Sequence, residues 1–392
     1  MKVLINGYLH TMRETGAAAD IPNGFIAFEN GKITDIGSMD SFTAPANAEV
    51  IDVSGAHISP GLIDAHCHIG MWEDSVDFEG ADGNEDTDPI TPHLRAVDSV
   101  NPLDRCFKDA QLAGITTVVT GPGSSNVMGG QFAALKTYGC CVDEMIIKSP
   151  IATKFSLGEN PKSTYHNKNQ TPVTRMAIAA LLRETLYKAV EYKSALDEYN
   201  ADPDENDKPE FDIKLESLLP LLNKEIHAKV HAHRADDIAT AVRIAKEFDI
   251  RITIEHCTEG HLIPHILKNN DIPVMAGPAL CERCKVELRQ AGFENYKKLT
   301  DAGLSVAIIT DHPVVPIEYL SLCASLAVKS GMDKHTALEA ITINAAKNCG
   351  IDDTVGSLTV GKDADIAVFS AHPLDFESKI LHTFINGIDT IL

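Results

Sequence analysis

The chain has 392 residues, with 34 Lys plus Arg against 56 Asp plus Glu, a formal charge of −22 when its 16 His are counted as neutral. That balance argues against a nucleic-acid partner, because a polyanion is repelled unless a basic patch intervenes and no Lys/Arg run exceeds two residues. Apolar residues at 44% and charged residues at 23% describe an ordinary globular chain, and no apolar stretch reaches the roughly 18 residues of a membrane span.

Taken in chain order, the N-terminal apolar piece, Val3-Leu4-Ile5, is too short for a signal-peptide core. The nine scattered cysteines, an odd number, suit reduced thiols in a cytoplasm rather than a disulfide framework. Short strands follow at residues 3–5, 24–28 and 32–37, punctuated by turns at Asn6-Gly7 and Asn30-Gly31. The same style returns at residues 356–369 and 383–387. Residues 1–56 and 355–392 are therefore expected to form one small β-sandwich domain built from both termini, enclosing a larger domain over 57–354.

In the larger domain, β-branched apolar runs alternate with helical stripes. The runs are 61–66, 115–119, 145–148, 151–155, 228–231, 251–255, 272–275 and 305–309, eight in all, the number a (β/α)8 barrel needs. Thr171-Pro172 predicts a helix start, with Ile178, Leu181, Leu182, Leu186 and Ala189 on one face. A polar acidic loop occupies 200–210. Further stripes, Leu215/Leu218/Leu219/Leu222 and Ile238/Ala241/Val242/Ala245, are read as core.

His66-Cys67-His68 closes the first barrel run. Residues i and i+2 of a strand face one side, so both imidazoles can reach the barrel mouth while Cys67 points away. Active sites sit at that end of barrel strands, and two such His make half of a metal site. The segment from Gly121 to Gln131 reads either as a loop lining the pocket or as an anion cradle, and it lacks the P-loop pattern. Cys281 and Cys284 form a lone CxxC, a weak metal or redox signal. Arg234 either grips a substrate carboxylate in a two-pronged contact or pairs with the neighbouring Asp236 or Asp237.

The segment Ser59-Pro60-Gly61-Leu62-Ile63-Asp64-Ala65-His66-Cys67-His68 resembles the PGLIDxHxH signature of the amidohydrolase superfamily. Residues 340–346 and the Gly356…Gly361…Ala364-Asp365 ending resemble its C-terminal motifs, with Ala345 where Pro is usual. The likeness is to the imidazolonepropionase-like and prolidase-like branches. It implies metal ligands at His66, His68, His231, His256 and Asp311. It also implies Lys154, carboxylated by CO2, as the bridging ligand, with Glu159 as the rival bridge or a substrate contact. His233 shares the strand parity of His231 and is expected as a ligand or a substrate contact.

The resemblance further implies one or two divalent metals, zinc first and Fe, Mn or Ni as alternatives. With the metal acidifying water, Asp311 would accept the proton and return it to the leaving nitrogen, assisted by His233 or His256. The expected substrate is a small molecule with a C–N bond to break: a cyclic amide, a dipeptide or an N-acyl amino acid. The alternatives are deamination of a ring amine by one metal and a non-catalytic scaffold. Such barrels often associate, so a homo-oligomer is compatible with this reading, and no membrane partner is expected.

Overall fold

The computed structural model describes residues 1–13 and 19–391. Five strands open the chain: β1 (Lys2–Leu9), β2 (Ile21–Glu29), β3 (Lys32–Ser38), β4 (Glu49–Asp52) and β5 (His57–Pro60). Eight follow: β6 (Leu62–Cys67), β7 (Ile115–Thr120), β8 (Met128–Lys136), β9 (Ile146–Ser156), β10 (His227–Ala232), β11 (Ile252–His256), β12 (Val274–Ala276) and β13 (Val306–Ile308). Three close it: β14 (Ile366–Phe369), β15 (Ile380–Ile385) and β16 (Ile388–Asp389).

The first and last groups share one sheet, ordered β16-β15-β14-β5-β1-β2-β3 with β4 beside β1. Its core is Leu4, Ile26, Phe28, Ile58, Ile366, Val368 and Phe384. The sheet takes in β5, so it reaches past residue 56, where the sequence suggested a boundary. Asn30 (φ 51°) and Gly31 (φ 78°) both turn left-handed, which is what a tight β2–β3 hairpin requires. Asn6-Gly7 behaves differently from the expected turn. β1 runs straight through it, and the β1–β2 register slips between Leu4 and Gly7 while Asn6 sits at φ 59°. This is a bulge, and Gly7 is needed there because a Cβ would lie 2.5 Å from Ile58 Cδ1.

The middle strands form a nearly closed barrel sheet in the order β13-β12-β11-β10-β9-β8-β7-β6. All its ladders are parallel except the two made by β8, which runs antiparallel to β7 and β9. The run 145–148 is not a separate strand but leads into β9, and the third strand is β8, which begins inside the segment read as a Gly-rich loop and continues to Lys136. Gly129 and Gly130 hide its strand character. Both are buried: a Cβ at Gly129 would press on Lys154 at 3.3 Å, and one at Gly130 would lie 2.4 Å from the Leu94 carbonyl oxygen, where no side chain fits. The link over residues 121–127 carries no helix, and so short a connection returns the chain antiparallel.

Barrel closure is made by single bonds rather than a ladder. Asp311 N–H donates to His66 O (3.2 Å) and His68 N–H to His312 O (2.9 Å). Asp64 Oδ2 accepts from both the backbone N–H (3.2 Å) and the hydroxyl (2.5 Å) of Thr310. The long helix Arg175–Ala201 starts later than Thr171-Pro172 suggested. Thr174 caps it, its hydroxyl accepting from Ala177 N–H at 3.1 Å, and Ile178, Leu182, Leu186 and Ala189 are buried as expected. The two units are pinned together where Lys136, at the end of β8, meets Asp363 (2.8 Å) and Asp365 (2.7 Å) just before β14. No helix among the described residues is long and apolar enough to cross a membrane.

Candidate metal centre

Inside the barrel, Ile63, Ala65, Val119, Phe132, Met275, Ala307 and Ile309 pack as one apolar cluster. Phe132 floors the polar layer: its ring centroid lies 5.3 Å from His66, 5.6 Å from Lys154 Nζ and 5.7 Å from Lys229 Nζ. Two groups of ligand-type side chains occupy that layer. His66, His68 and Asp311 form one and His231, His233 and His256 the other; within each, one ligand atom per residue lies within 4.8 Å of the rest. The groups adjoin, with His66 and His256 ring centroids 5.5 Å apart.

Local backbone geometry aims these side chains. Along β10, Lys229, His231 and His233 alternate with Ala228, Val230 and Ala232, which face the outer core. Along β11, Ile254 faces that outer core, so Glu255 turns inward, and strict alternation would send His256 outward. Instead His256 takes φ 69°, and both consecutive side chains face the interior. In β6 the register against β7 slips between Asp64 and Cys67. Beyond the slip, His66 and His68 face the interior and Cys67 lies toward Val119 O (3.8 Å), on the other side as expected.

The donors fit a cation. His68 Nδ1 donates to Gly121 O (2.7 Å) and His256 Nδ1 to Gly277 O (2.8 Å), so a neutral ring keeps its lone pair on Nε2 in each case. His68 Nε2 and His66 Nε2 stand 3.2 and 3.5 Å from Asp311 Oδ1, a buried oxygen without a hydrogen-bond donor. Acceptors facing one another at that range suit a metal between them. Burial, reinforced chiefly by Lys154 for His66 and by His233 for His231, holds both imidazoles well below their usual pKa, and burial does the same for His256. Neutral imidazole is the ligating form. Burial pushes the Asp311 carboxyl up, but His256 and His68 outweigh it and keep it below its ordinary value, hence ionised.

Lys154 is fully buried and lies 3.4 Å from His66 Nε2. Burial, only partly offset by Glu255 and Asp311, lowers its pKa to about 8. His231 Nε2 and His233 Nε2 each lie 3.8 Å from Glu287 Oε1, another buried oxygen without a donor. His233 Nδ1 lies 2.8 Å from the Thr258 hydroxyl, which can donate or accept. His233 can thus present Nε2 either as a lone pair or as an N–H.

Of the expected residues, His66, His68, Lys154, His231, His233, His256 and Asp311 are gathered at one centre. Arg234 and Glu159 are not. Arg234 is held by Asp236 in a two-pronged contact (2.9 and 2.8 Å), the second of the readings its sequence allowed. Glu159 heads the helix Glu159–Asn167, gives its backbone N–H to Glu287 Oε2 (3.0 Å), and does not line the cavity. In the 121–127 loop two backbone N–H groups are already used, Gly123 on Gly83 O and Ser125 on Asn84 Oδ1, while Gly123 and Ser124 line the cavity. Cys281 and Cys284 sit on the cavity wall and join no third ligand among the described residues.

Three contributors carried no sequence signal. Glu255 Oε2, completely buried, lies 2.7 Å from His66 Nδ1 and 3.0 Å from Lys229 Nζ. Glu287 and Lys285 arrive after β12, Glu287 within the 3-10 turn Val286–Leu288 and Lys285 at its start. A carboxylate behind a ligating His fixes its orientation and raises its basicity. Glu255→Gln is therefore expected to weaken metal affinity about 10- to 100-fold, read by competition with a chromogenic chelator. Unchanged affinity would remove Glu255 from that role.

The mouth opens into a cavity of about 480 Å³, walled by Trp72, Asn84, Ser124, Asn160, Lys285 and Leu288 among others. An amidohydrolase family model matches residues 216–388. A solved amidohydrolase from Thermotoga maritima MSB8 is 37% identical with a TM-score of 0.94, over 100% of this chain and 99% of that one. Amidohydrolase tasK of Hapsidospora irregularis is 27% identical over 93% of this chain, which spans only 39% of that longer protein. An imidazolonepropionase of Streptococcus pyogenes serotype M12 is 24% identical over 94% of this chain and 89% of its own length.

Proposed function

The chain belongs to the amidohydrolase family, and from that premise we propose that it hydrolyses a C–N bond of a small amide: an N-acyl amino acid, a dipeptide or a cyclic amide. The observation that carries this reading is the convergence of five imidazoles and Asp311 beside a buried lysine at the barrel mouth. His66, His68 and Asp311 would hold one divalent ion, with His231 and His256 holding a second; zinc suits imidazole and carboxylate, as do Fe, Mn and Ni. A divalent ion there polarises a carbonyl and makes water acidic enough to act at neutral pH.

The chain's own groups do the rest. The Asp311 carboxylate, ionised and 3.2 Å from His68 Nε2, would accept a proton and deliver it to the departing nitrogen. An ammonium at Lys154 has no lone pair for a metal. With its pKa lowered to about 8, part of the population is the free amine. That amine can add CO2 and lose a proton, and the anionic carbamate so formed would supply the oxygen donors that an ammonium lacks. His233 assists from the cavity side as an N–H donor to the substrate oxygen or as a further ligand. The buried Lys154 favours this hydrolytic reading over deamination, which needs no bridge.

Elemental analysis is expected to find two divalent ions per chain, with mass evidence for CO2 on Lys154. Prolonged chelation should abolish hydrolysis across a panel of N-acyl amino acids, dipeptides and cyclic amides, and added metal should restore it. Activity unaffected by complete metal removal, or release of ammonia from ring amines by a one-metal protein, would overturn the reading.

A further inference from the structure

We infer that Lys285, with Asn160 and Ser124, is an anion holder that selects substrates bearing a free carboxylate beside the scissile amide; this rests on the hydrolytic reading above. Lys285 is half-buried on the cavity wall, and its ammonium donates to Asn160 Oδ1 at 2.5 Å. Asn160 in turn donates to Ser124 Oγ at 2.7 Å and lies 3.4 Å from His231 Nε2. The three side chains thus form a continuous polar strip ending at a metal-type ligand.

The charge balance of that strip is unusual for this chain. Acids outnumber bases 56 to 34, and the arginines of neighbouring segments are taken up: Arg234 by Asp236, Arg175 by Asp237, Arg289 by Glu259 and Arg283 by the Ala291 carbonyl. Lys285 has no carboxylate oxygen within 4.0 Å among the described residues. Glu287, two positions on, is turned away, its Oε2 on Glu159 N–H and its Oε1 toward His231 and His233. Glu282, exposed on the same rim, is screened by water.

A cation balanced only by neutral oxygens, beside ligands that will hold a reacting carbonyl, is completed by a ligand's negative charge. A carboxylate one or two bonds from the scissile amide has the reach, as in an N-acyl amino acid or a dipeptide. The rest of the wall, Trp72, Pro278, Leu288, Pro313 and Val314, is apolar and leaves room for a side chain. The inference therefore separates the proposed substrates: those with a free carboxylate are preferred over neutral cyclic amides.

The test uses the metal-loaded full chain with N-acetyl-L-amino acids and the matching N-acetyl-L-amino acid amides. Binding of the same pairs to chelator-treated protein is measured in parallel by calorimetry. The acid is expected to exceed its amide about 10- to 100-fold in kcat/KM, the scale of a hydrogen bond to a charged group. Lys285→Met should erase most of that preference, chiefly through KM, and Lys285→Arg should restore most of it. Equal use of acid and amide by the unaltered protein, or a preference that survives Lys285→Met, overturns the inference and leaves the hydrolytic reading standing. A Lys285-dependent preference in binding without cleavage of either compound does the reverse.

Discussion

Asp311→Asn is expected to keep the fold and lower turnover by about 10³-fold or more. The substitution preserves size and one carbonyl-type oxygen, so the contacts around 309–312 can persist, including the Asp311 N–H bond to His66 O (3.2 Å). What disappears is a base. General acid–base groups contribute about 10²- to 10⁴-fold, and Asp311 also brings the one carboxylate of its ligand group, so weaker metal retention adds to the loss. The size of the stability change differs between the two forms. In metal-free protein His256 and His68 hold the carboxyl below its ordinary pKa, so its charge is stabilising and an amide there should lower the melting temperature slightly. In metal-loaded protein the same change also removes a ligand and should lower it further. Thermal melts with and without chelator, beside a kcat measurement on the best substrate of the panel, check both. Near-normal turnover would remove Asp311 from the proton-transfer role.

How much of this centre was legible depended on whether a residue's role follows strand rules. His66 and His68 follow i, i+2 parity, and Lys154 and His231 stand in apolar strand runs, so parity and motif resemblance together reached them. His256 was reached by resemblance alone, since after an inward Glu255 only its φ of 69° turns it to the centre, and no periodicity encodes that angle. The β8 strand was missed because its two glycines read as a loop, although they are there to let Lys154 and the Leu94 carbonyl approach. Glu287 and Lys285 lie at the short 3-10 turn after β12, whose path is set by tertiary contacts, so spacing says nothing about where they point. Arg234 shows the converse: its position invited a substrate role, but an acid two residues away takes up its guanidinium.

The C-terminal Gly361-Lys362-Asp363-Ala364-Asp365 segment, seen in the sequence only as a motif, has a physical task that Lys136→Met should expose. Lys136 is 4% exposed and meets Asp363 at 2.8 Å and Asp365 at 2.7 Å, tying the barrel to the terminal sheet. Removing one partner strands the others: the Asp363 carboxylate keeps the exposed Lys32 (2.6 Å), and among the described residues the Asp365 carboxylate keeps the backbone N–H of Asn386 (3.0 Å). Breaking a buried pair in this way costs about 3–5 kcal/mol, so a denaturant midpoint should fall markedly, with the terminal sheet released first. The pH dependence supplies an independent sign. Burial raises the Asp363 carboxyl, but Lys136 and Lys32 outweigh it and hold its pKa below the ordinary value. A depressed folded-state pKa gives stability that is complete above the unfolded carboxyl value, about 3.9, and is lost as pH falls through the folded one. In Lys136→Met that contribution is reduced, so the gap between the two proteins should be widest near neutrality and close in acid. Adding Asp363→Asn and Asp365→Asn should recover much of the loss, because the damage comes from uncompensated charge rather than from a missing contact. A triple variant no more stable than Lys136→Met would mean that packing, and not charge, holds the sheet to the barrel.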